Sequence, residues 1–297
     1  MNYKRPTVIA EIGCNHKGDM DIARRMIRLL GCMKDFDPAS AIDIVKFQKR
    51  TVRELLTPEE FNAPHPHPEN SYGATYGLHR EALEFTAEQH ALLKKCCEEN
   101  GLVYSTSVWD LTAAREIAAL KPALIKVPSA CNLDFPLLEY LRDNYGGEIH
   151  LSFGMTTKEE ERKIVGFFKE KDRAKDLVVY ACTSGYPVPV EDICLLEVAR
   201  LREAYGDTVK GIGFSGHHNG IAADIGALTL GAEYFERHFT LDRTWKGTDH
   251  AASLEPAGIQ KLARDLRNVS RALTYKKEDV LDIEKVQRAK LKHIREM

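Results

Sequence analysis

Several short apolar runs in this 297-residue chain end on a side chain that can carry charge. Glu11 closes VIAEIG, Lys46 closes IDIVKFQ, Lys126 closes ALIKVPS, Ser215 and His217 follow KGIGF, and Glu236 and His238 lie in YFERHF. Side chains alternate along a strand, so Ile9, Glu11 and Gly13 share a face, as do Ile44, Lys46 and Gln48, Leu124 and Lys126, and Tyr234, Glu236 and His238. Two lysines, two glutamates and two histidines therefore gather on one side of a sheet. Unpaired buried charge is expensive, so the set calls for a ligand or a metal to balance it.

Each group suits a particular chemistry. His217 and His238, backed by Glu236 and Asp249, suit a divalent ion with mixed nitrogen and oxygen ligands such as Mn2+, with His218 as the competing ligand. Lys46 and Lys126, with Ser129, Ser152, Thr183, Ser184 and Ser215, form a cradle for a phosphate and a carboxylate. A Schiff-base lysine competes with that reading, and an ion pair to Glu11 or Glu236 is compatible with both. Glu11 stands in EIGCNHKG, where Gly13 and Gly18 leave room for a ligand and Asn15 or His16 could orient it. A carboxylate there is a candidate general base. Loop capping accounts equally well for Asn15 and His16. The seven cysteines form no CxxC pair and read as reduced thiols, with Cys96, Cys97 and Cys182 as core or chemically neutral.

The elements between these residues must position them. Strand-like runs at 8–12, 44–48, 102–106, 123–127, 149–153, 177–182, 209–215 and 233–239 alternate with amphipathic stretches at 20–34, 86–99, 111–120, 133–144, 158–170, 190–204, 220–230 and 256–273. Such alternation implies a parallel sheet closed into a (β/α)8 TIM barrel, in preference to an open doubly wound sheet. Every polar residue named above then falls at or near a strand's carboxyl end, where such barrels do their chemistry. The barrel is expected to span 1–275 as a single domain. Residues 276–297 read as a charged helical tail whose weak apolar stripe, Val280, Ile283, Val286 and Leu291, packs on the barrel or a neighbouring subunit. The 51–85 connection is too long for a simple turn and reads as a lid or a substrate-recognition element over the barrel mouth, its His65, His67 and His79 belonging to a rigid proline-rich turn rather than to a metal site. With 43% hydrophobic and 29% charged residues the composition is that of a soluble globular protein, and a net charge of -2 gives no electrostatic reason to expect nucleic acid or a membrane surface. No apolar run approaches the roughly 20 residues that span a bilayer, and no signal-peptide pattern opens the chain, so the expected location is the cytoplasm.

In order, the strings IAEIGCNHKGDMDIA, DIVKFQ, YSTS, IKVPSA, LSFGM, CTSGYPVP, IGFSGHH and FERHFTLDRTWKGTDHAASLEP resemble the sialic acid synthase family of phosphoenolpyruvate-dependent nonulosonate synthases, over residues 8–275. The resemblance implies a transferase that condenses phosphoenolpyruvate with the open-chain aldehyde of an N-acylated amino sugar, giving a nine-carbon 2-keto-3-deoxy acid and phosphate. It implies a Mn2+-type ion, with Mg2+ or Co2+ as alternatives, on His217 and His238, and Glu11 as general base. Lys46, Lys126, Thr106, Ser129, Ser152, Ser184 and Ser215 would surround the phosphate and carboxylate. Asp249 would contact the sugar, Tyr186 would stand beside the site, and the assembly would be a homodimer. Phe153 replaces the threonine of the family's LSTGM, and Gly216 replaces the acid of its SDH. The chain also stops where many members continue into an antifreeze-like domain that lends an arginine to a partner's sugar site. Arg53 and Arg80 of the 51–85 connection are candidates for that contact by position. Two other functions fit the residues: a metal-dependent barrel aldolase or isomerase with Lys126 catalytic, and a non-catalytic metabolite-binding barrel.

Overall fold

A computed structural model describes residues 4–293. Parallel strands follow one another round a closed barrel: β1 (Thr7–Gly13), β2 (Ile44–Lys49), β3 (Val103–Val108), β4 (Leu124–Val127), β5 (Glu148–Ser152), β6 (Leu177–Cys182), β7 (Gly211–Gly216) and β8 (Tyr234–His238), with β8 pairing back to β1. The fold is the (β/α)8 barrel that the alternation predicts.

Outward side chains build the main core. Val8, Ala10 and Ile12 of β1 are buried in the same cluster as Ala23, Met26, Ile27 and Leu30, which recur at helical spacing along Met20–Phe36. Burying each large member contributes roughly 1.5–3 kcal/mol. That helix opens on Asp19, whose carboxylate accepts from the N–H groups of Asp21 and Ile22; Asp110 and Thr157 cap Leu111–Ala119 and Lys158–Lys169 in the same way. Such caps satisfy otherwise orphaned N–H groups and fix where each strand-to-helix loop ends above the barrel.

Inward side chains form two layers. Ile9, Ile44, Leu124, Val178 and Tyr180 fill the lower barrel, with Tyr234 packed against them. Tyr180 fits because Gly213 faces it: a Cβ there would lie 2.4 Å from the ring. Two residues further along these strands stand Glu11, Lys46, Lys126, Cys182, Ser215 and Glu236. Register makes neighbours of them, since Glu11 lies opposite both Lys46 and His238, Ser107 opposite Lys126, and Ser215 opposite Glu236.

Three expectations need correction. The 51–85 connection is more than a loop: it contains the helices Val52–Leu55, Pro58–Asn62 and Tyr76–Ala82. Its start is anchored by Thr51, whose N–H and hydroxyl lie 2.6 and 2.9 Å from the Asp110 carboxylate. The helix expected at 190–204 begins only at Leu196, after a separate 3-10 turn at Val190–Asp192. In the tail, the described helix is Asp282–Leu291, and its Ile283, Val286 and Leu291 are exposed, so those three do not pack on the barrel. The last residues of the expected tail, 294–297, lie outside the described residues. Among the described residues no helix is long and apolar enough to cross a membrane.

On its outer face β8 buries Arg237, which donates to Asp224 at 2.5 Å and to the carbonyl oxygens of His218 at 2.6 Å and Gly220 at 2.9 Å. This ties the segment after β7, which carries His217, to the neighbouring strand. Removing one partner of a buried pair strands the other charge, so Asp224→Ala should cost ~3–5 kcal/mol of unfolding free energy in urea titrations. A loss below ~1 kcal/mol, ordinary for a surface change, would mean that other contacts hold the segment.

Candidate active site

At the carboxyl end of the strands the barrel opens into a cavity of about 300 Å³. Its lower wall is a chain of buried ion pairs. Lys46 Nζ lies 2.6 Å from Glu11 Oε2 and 3.7 Å from Glu236 Oε2, and donates to Ser107 Oγ at 2.6 Å. Lys126 Nζ reaches both Glu236 oxygens, at 3.1 and 3.0 Å, and sits 4.1 Å from the centre of the Tyr180 ring. Ser215 Oγ donates to Glu236 Oε1 at 3.0 Å, and Gln48 Nε2 to Glu11 Oε1 at 2.9 Å. Two ammonium groups and two carboxylates thus balance one another. The charge does not demand an added ligand or metal, contrary to the expectation from the sequence.

The two carboxylates are not equivalent. Burial raises the Glu11 carboxyl, with Lys46 opposing it, whereas for Glu236 the attraction of Lys126 and Lys46 overcomes burial and holds the group well below the usual range. Burial also lowers the Lys126 ammonium, with Glu236 resisting. Glu236 is a fixed negative charge, and Glu11 is the carboxylate better able to take up a proton.

Ser129, Ser152, Ser184 and Ser215 line the cavity together with both lysines. Gly154 is what lets two of these hydroxyls converge: a Cβ there would lie 2.4 Å from Ser184 Oγ and 2.6 Å from Ser129 Oγ. Its N–H also donates to Ser129 Oγ at 3.0 Å. Phe153, beside it, joins the outer core and does not line this cavity. Thr106 is not part of the cradle. It stands on the outward face of β3, 2.5 Å from the Tyr104 hydroxyl, and its neighbour Ser107 faces Lys46 instead. Thr183 also turns away, donating to the carbonyl of Asp192 at 2.8 Å.

His217 and His238 are buried on one wall, their ring centroids 5.5 Å apart. Burial lowers the His217 pKa to about 3, which leaves a neutral imidazole. Its Nδ1 is 3.3 Å from the carbonyl oxygen of Thr183, an arrangement that places the proton on Nδ1 and a lone pair on Nε2. Nδ1 of His238 is buried without a hydrogen-bond partner among the described residues. Among the described residues no three His, Cys, Asp or Glu side chains converge as a metal cage. What the pair offers is two imidazole nitrogens on one wall, from the residues that would hold a divalent ion. His218 does not compete: it lies 3.2 Å from Asp224, and Gly216 gives it room, since a Cβ there would come within 2.8 Å of its ring.

Asp249 lies outside the cavity lining, its carboxylate accepting from the Thr248 hydroxyl at 3.1 Å. Burial pushes this carboxyl up, but His238 and then Arg80 bring it below the usual range. Tyr186 forms part of the lining, its ring edge-on to His217 with centroids 4.5 Å apart. Asn15 braces the loops after β1 and β8, donating to the Phe239 carbonyl and to Ser253 Oγ, both at 2.9 Å. His16 stacks on Phe85 with centroids 4.1 Å apart, and burial lowers its pKa to about 3. Gly18 makes no room for a ligand. At φ +74° its missing Cβ would lie 2.1 Å from the Ala82 carbonyl oxygen, so it lets the loop lie against the 51–85 connection. All seven cysteines are free, and Cys182, expected to be core or chemically neutral, lines the cavity. Ser107, Trp109 and Gly154 are among the site residues that sequence reasoning misses; LSFGM and YSTS are the strings that contained a signal for two of these three.

Residues 37–278 match the NeuB family. The chain is 35% identical over 277 residues to the N-acetylneuraminate-9-phosphate synthase of Homo sapiens, a match covering 93% of this chain and 74% of that protein. It is 27% identical over 271 residues to the N,N'-diacetyllegionaminic acid synthase of Campylobacter jejuni, covering 91% of this chain and 78% of the other. The crystal structure of N-acetylneuraminic acid (sialic acid) synthetase from Leptospira borgpetersenii, in complex with citrate, is similar with a TM-score of 0.79 and 26% identity, over 97% of this chain and 93% of that one. Ordered motifs, barrel and likenesses agree, and the chain belongs to the NeuB family, the sialic acid synthase family that its motifs resemble.

Proposed function

We propose that the chain is a synthase that condenses phosphoenolpyruvate with the open-chain aldehyde of an N-acylated amino sugar, N-acetylmannosamine-like, giving a nine-carbon 2-keto-3-deoxy acid and phosphate. The observation that carries this reading is the cavity itself. Two buried ammonium groups and converging serine hydroxyls form its lower part, and two imidazoles and one carboxyl of raised pKa stand on the same walls. Lys46, Lys126, Ser129, Ser152, Ser184 and Ser215 hold the phosphate and carboxylate of phosphoenolpyruvate, with Ser107 in the place expected of Thr106. Held there, the enol carbon C3 bonds to the aldehyde carbon, whose oxygen takes up a proton to become a hydroxyl; water adds at C2, and the hydroxyl it leaves there loses its proton and becomes the keto group as the C–O bond to phosphate breaks. Glu11 takes the proton of that water, a role its raised pKa favours. Asp249 and Tyr186 orient the sugar. A divalent ion on His217 and His238, Mn2+ or in its place Mg2+ or Co2+, would supply Lewis-acid polarisation of the aldehyde. Lys126 is clamped between both Glu236 oxygens rather than free as an amine, which favours this reading over a Schiff-base aldolase. The relatives' names divide over the acceptor: the human protein's product carries a 9-phosphate, and the Campylobacter jejuni protein's name mentions none.

Phosphate release from phosphoenolpyruvate, followed with a panel of N-acylated hexosamines, tests the reaction; release that needs no sugar would sink it. Glu11→Gln should keep phosphoenolpyruvate binding by calorimetry and turn over at least ~100-fold more slowly, as for a lost general base. A near-normal rate removes Glu11 from that role. His217→Ala and His238→Ala should each abolish metal-dependent turnover with an unchanged circular dichroism spectrum, and full activity in either variant rules out the ligand assignment. Gly154→Ala should weaken phosphoenolpyruvate binding about 10- to 100-fold, the equivalent of a 1–3 kcal/mol overpacking cost placed on Ser129 and Ser184. Unchanged affinity would mean that the anion sits elsewhere.

A further inference from the structure

A second cavity, of about 250 Å³, opens beside the first and shares Trp109 and Ala130 with it as walls. Much of its remaining lining comes from the 51–85 connection, and two guanidinium groups face it, Arg50 and Arg80. Arg50 is already committed. It pairs with Glu84 at 3.2 Å, its backbone N–H donates to the same carboxylate at 2.8 Å, and its guanidinium stacks 3.9 Å from the Trp109 ring centre.

Arg80 is different. Its Nε and Nη2 donate to the hydroxyl of Tyr76 at 3.0 and 2.8 Å, a neutral partner within the same helix. Among the described residues it pairs with no carboxylate. A half-buried guanidinium has five N–H donors, so a phenol oxygen leaves most of the fork open to an oxyanion. Its charge is felt at the edge of the main cavity, by Asp249. Arg53, the other arginine of the connection, points to solvent and pairs with Glu81 at 2.9 Å. The two candidates are thereby separated: one faces the cavity, the other the surface.

We propose that this side cavity takes the far end of the acceptor sugar and that Arg80 grips an anionic group there, a phosphate monoester on the carbon most distant from the aldehyde. The inference rests on the synthase reading. Adding a three-carbon unit to the aldehyde of a six-carbon sugar turns its terminal carbon into the ninth of the product, so a phosphate on that carbon of the acceptor survives as a 9-phosphate. Apolar Leu55 and Leu56 on the same walls leave Arg80 as the unneutralised cation to meet it.

The test compares phosphoenolpyruvate consumption with N-acetylmannosamine and with its 6-phosphate, for the parent chain, Arg80→Gln, Arg80→Lys and the surface control Arg53→Gln. The parent is expected to prefer the 6-phosphate. Arg80→Gln should raise KM for the phosphorylated sugar roughly 10- to 100-fold, as expected for a lost charge-assisted contact, with kcat and the KM for phosphoenolpyruvate held. Arg80→Lys should recover part of the loss and Arg53→Gln should show none. A parent that prefers the unphosphorylated sugar, or an Arg80→Gln effect equal for both sugars, overturns the assignment while leaving the synthase intact. Sugar-independent or absent turnover overturns both.

Discussion

The interior of this barrel is organised by the burial of two ammonium groups. Lys46 and Lys126 are almost wholly buried above an apolar floor, so each needs an oxygen anion at contact distance. Those anions come from β1 and β8, and their position along the strands is fixed by the ladder. Sliding β2 by one residue would turn Lys46 outward into the core between strands and helices and would leave Glu11 unpaired. The same requirement accounts for Tyr180, whose ring lies under Lys126, and for Gly213, which gives that ring its space.

From this arrangement two chemically identical side chains acquire different characters. Glu236 meets two lysines and a serine hydroxyl, while Glu11 meets one lysine and a neutral amide. The first resists protonation, and the second resists it less. Splitting a pair of carboxyls in this way is how a fold assigns one to hold charge and the other to move a proton.

Much of the site was legible because strand periodicity and residue type suffice to read it. Glu11, Lys46, Lys126 and Glu236 follow apolar residues at a spacing of two, so the alternation that puts Ile9 and Ile44 in the floor also puts these charges above it. Legibility failed where two candidates are adjacent in sequence. Thr106 and Ser107 carry the same chemistry, as do His217 and His218, and only register and tertiary partners decide which faces inward. Gly154 was hidden for another reason: its contribution is the space it leaves for Ser129 and Ser184, and composition cannot report a contact that a missing atom would make. The 51–85 connection misled through its prolines and histidines. Pro58 occupies the first turn of a helix, and Thr57 with Glu60 closes the capping box that starts it, so the same residues that suggest a loop set a helix there.

The apolar floor has a consequence for traffic. Ile9, Ile44, Leu124, Val178 and Tyr180 are each at most 5% exposed, so the barrel has no passage beneath the lysines. The chamber is a well with one opening. Reach to the lysines is from the carboxyl end of the strands, so whatever rests on them lies deepest in the chamber. Depth is thereby set by the shape of the container, before any difference in affinity is considered.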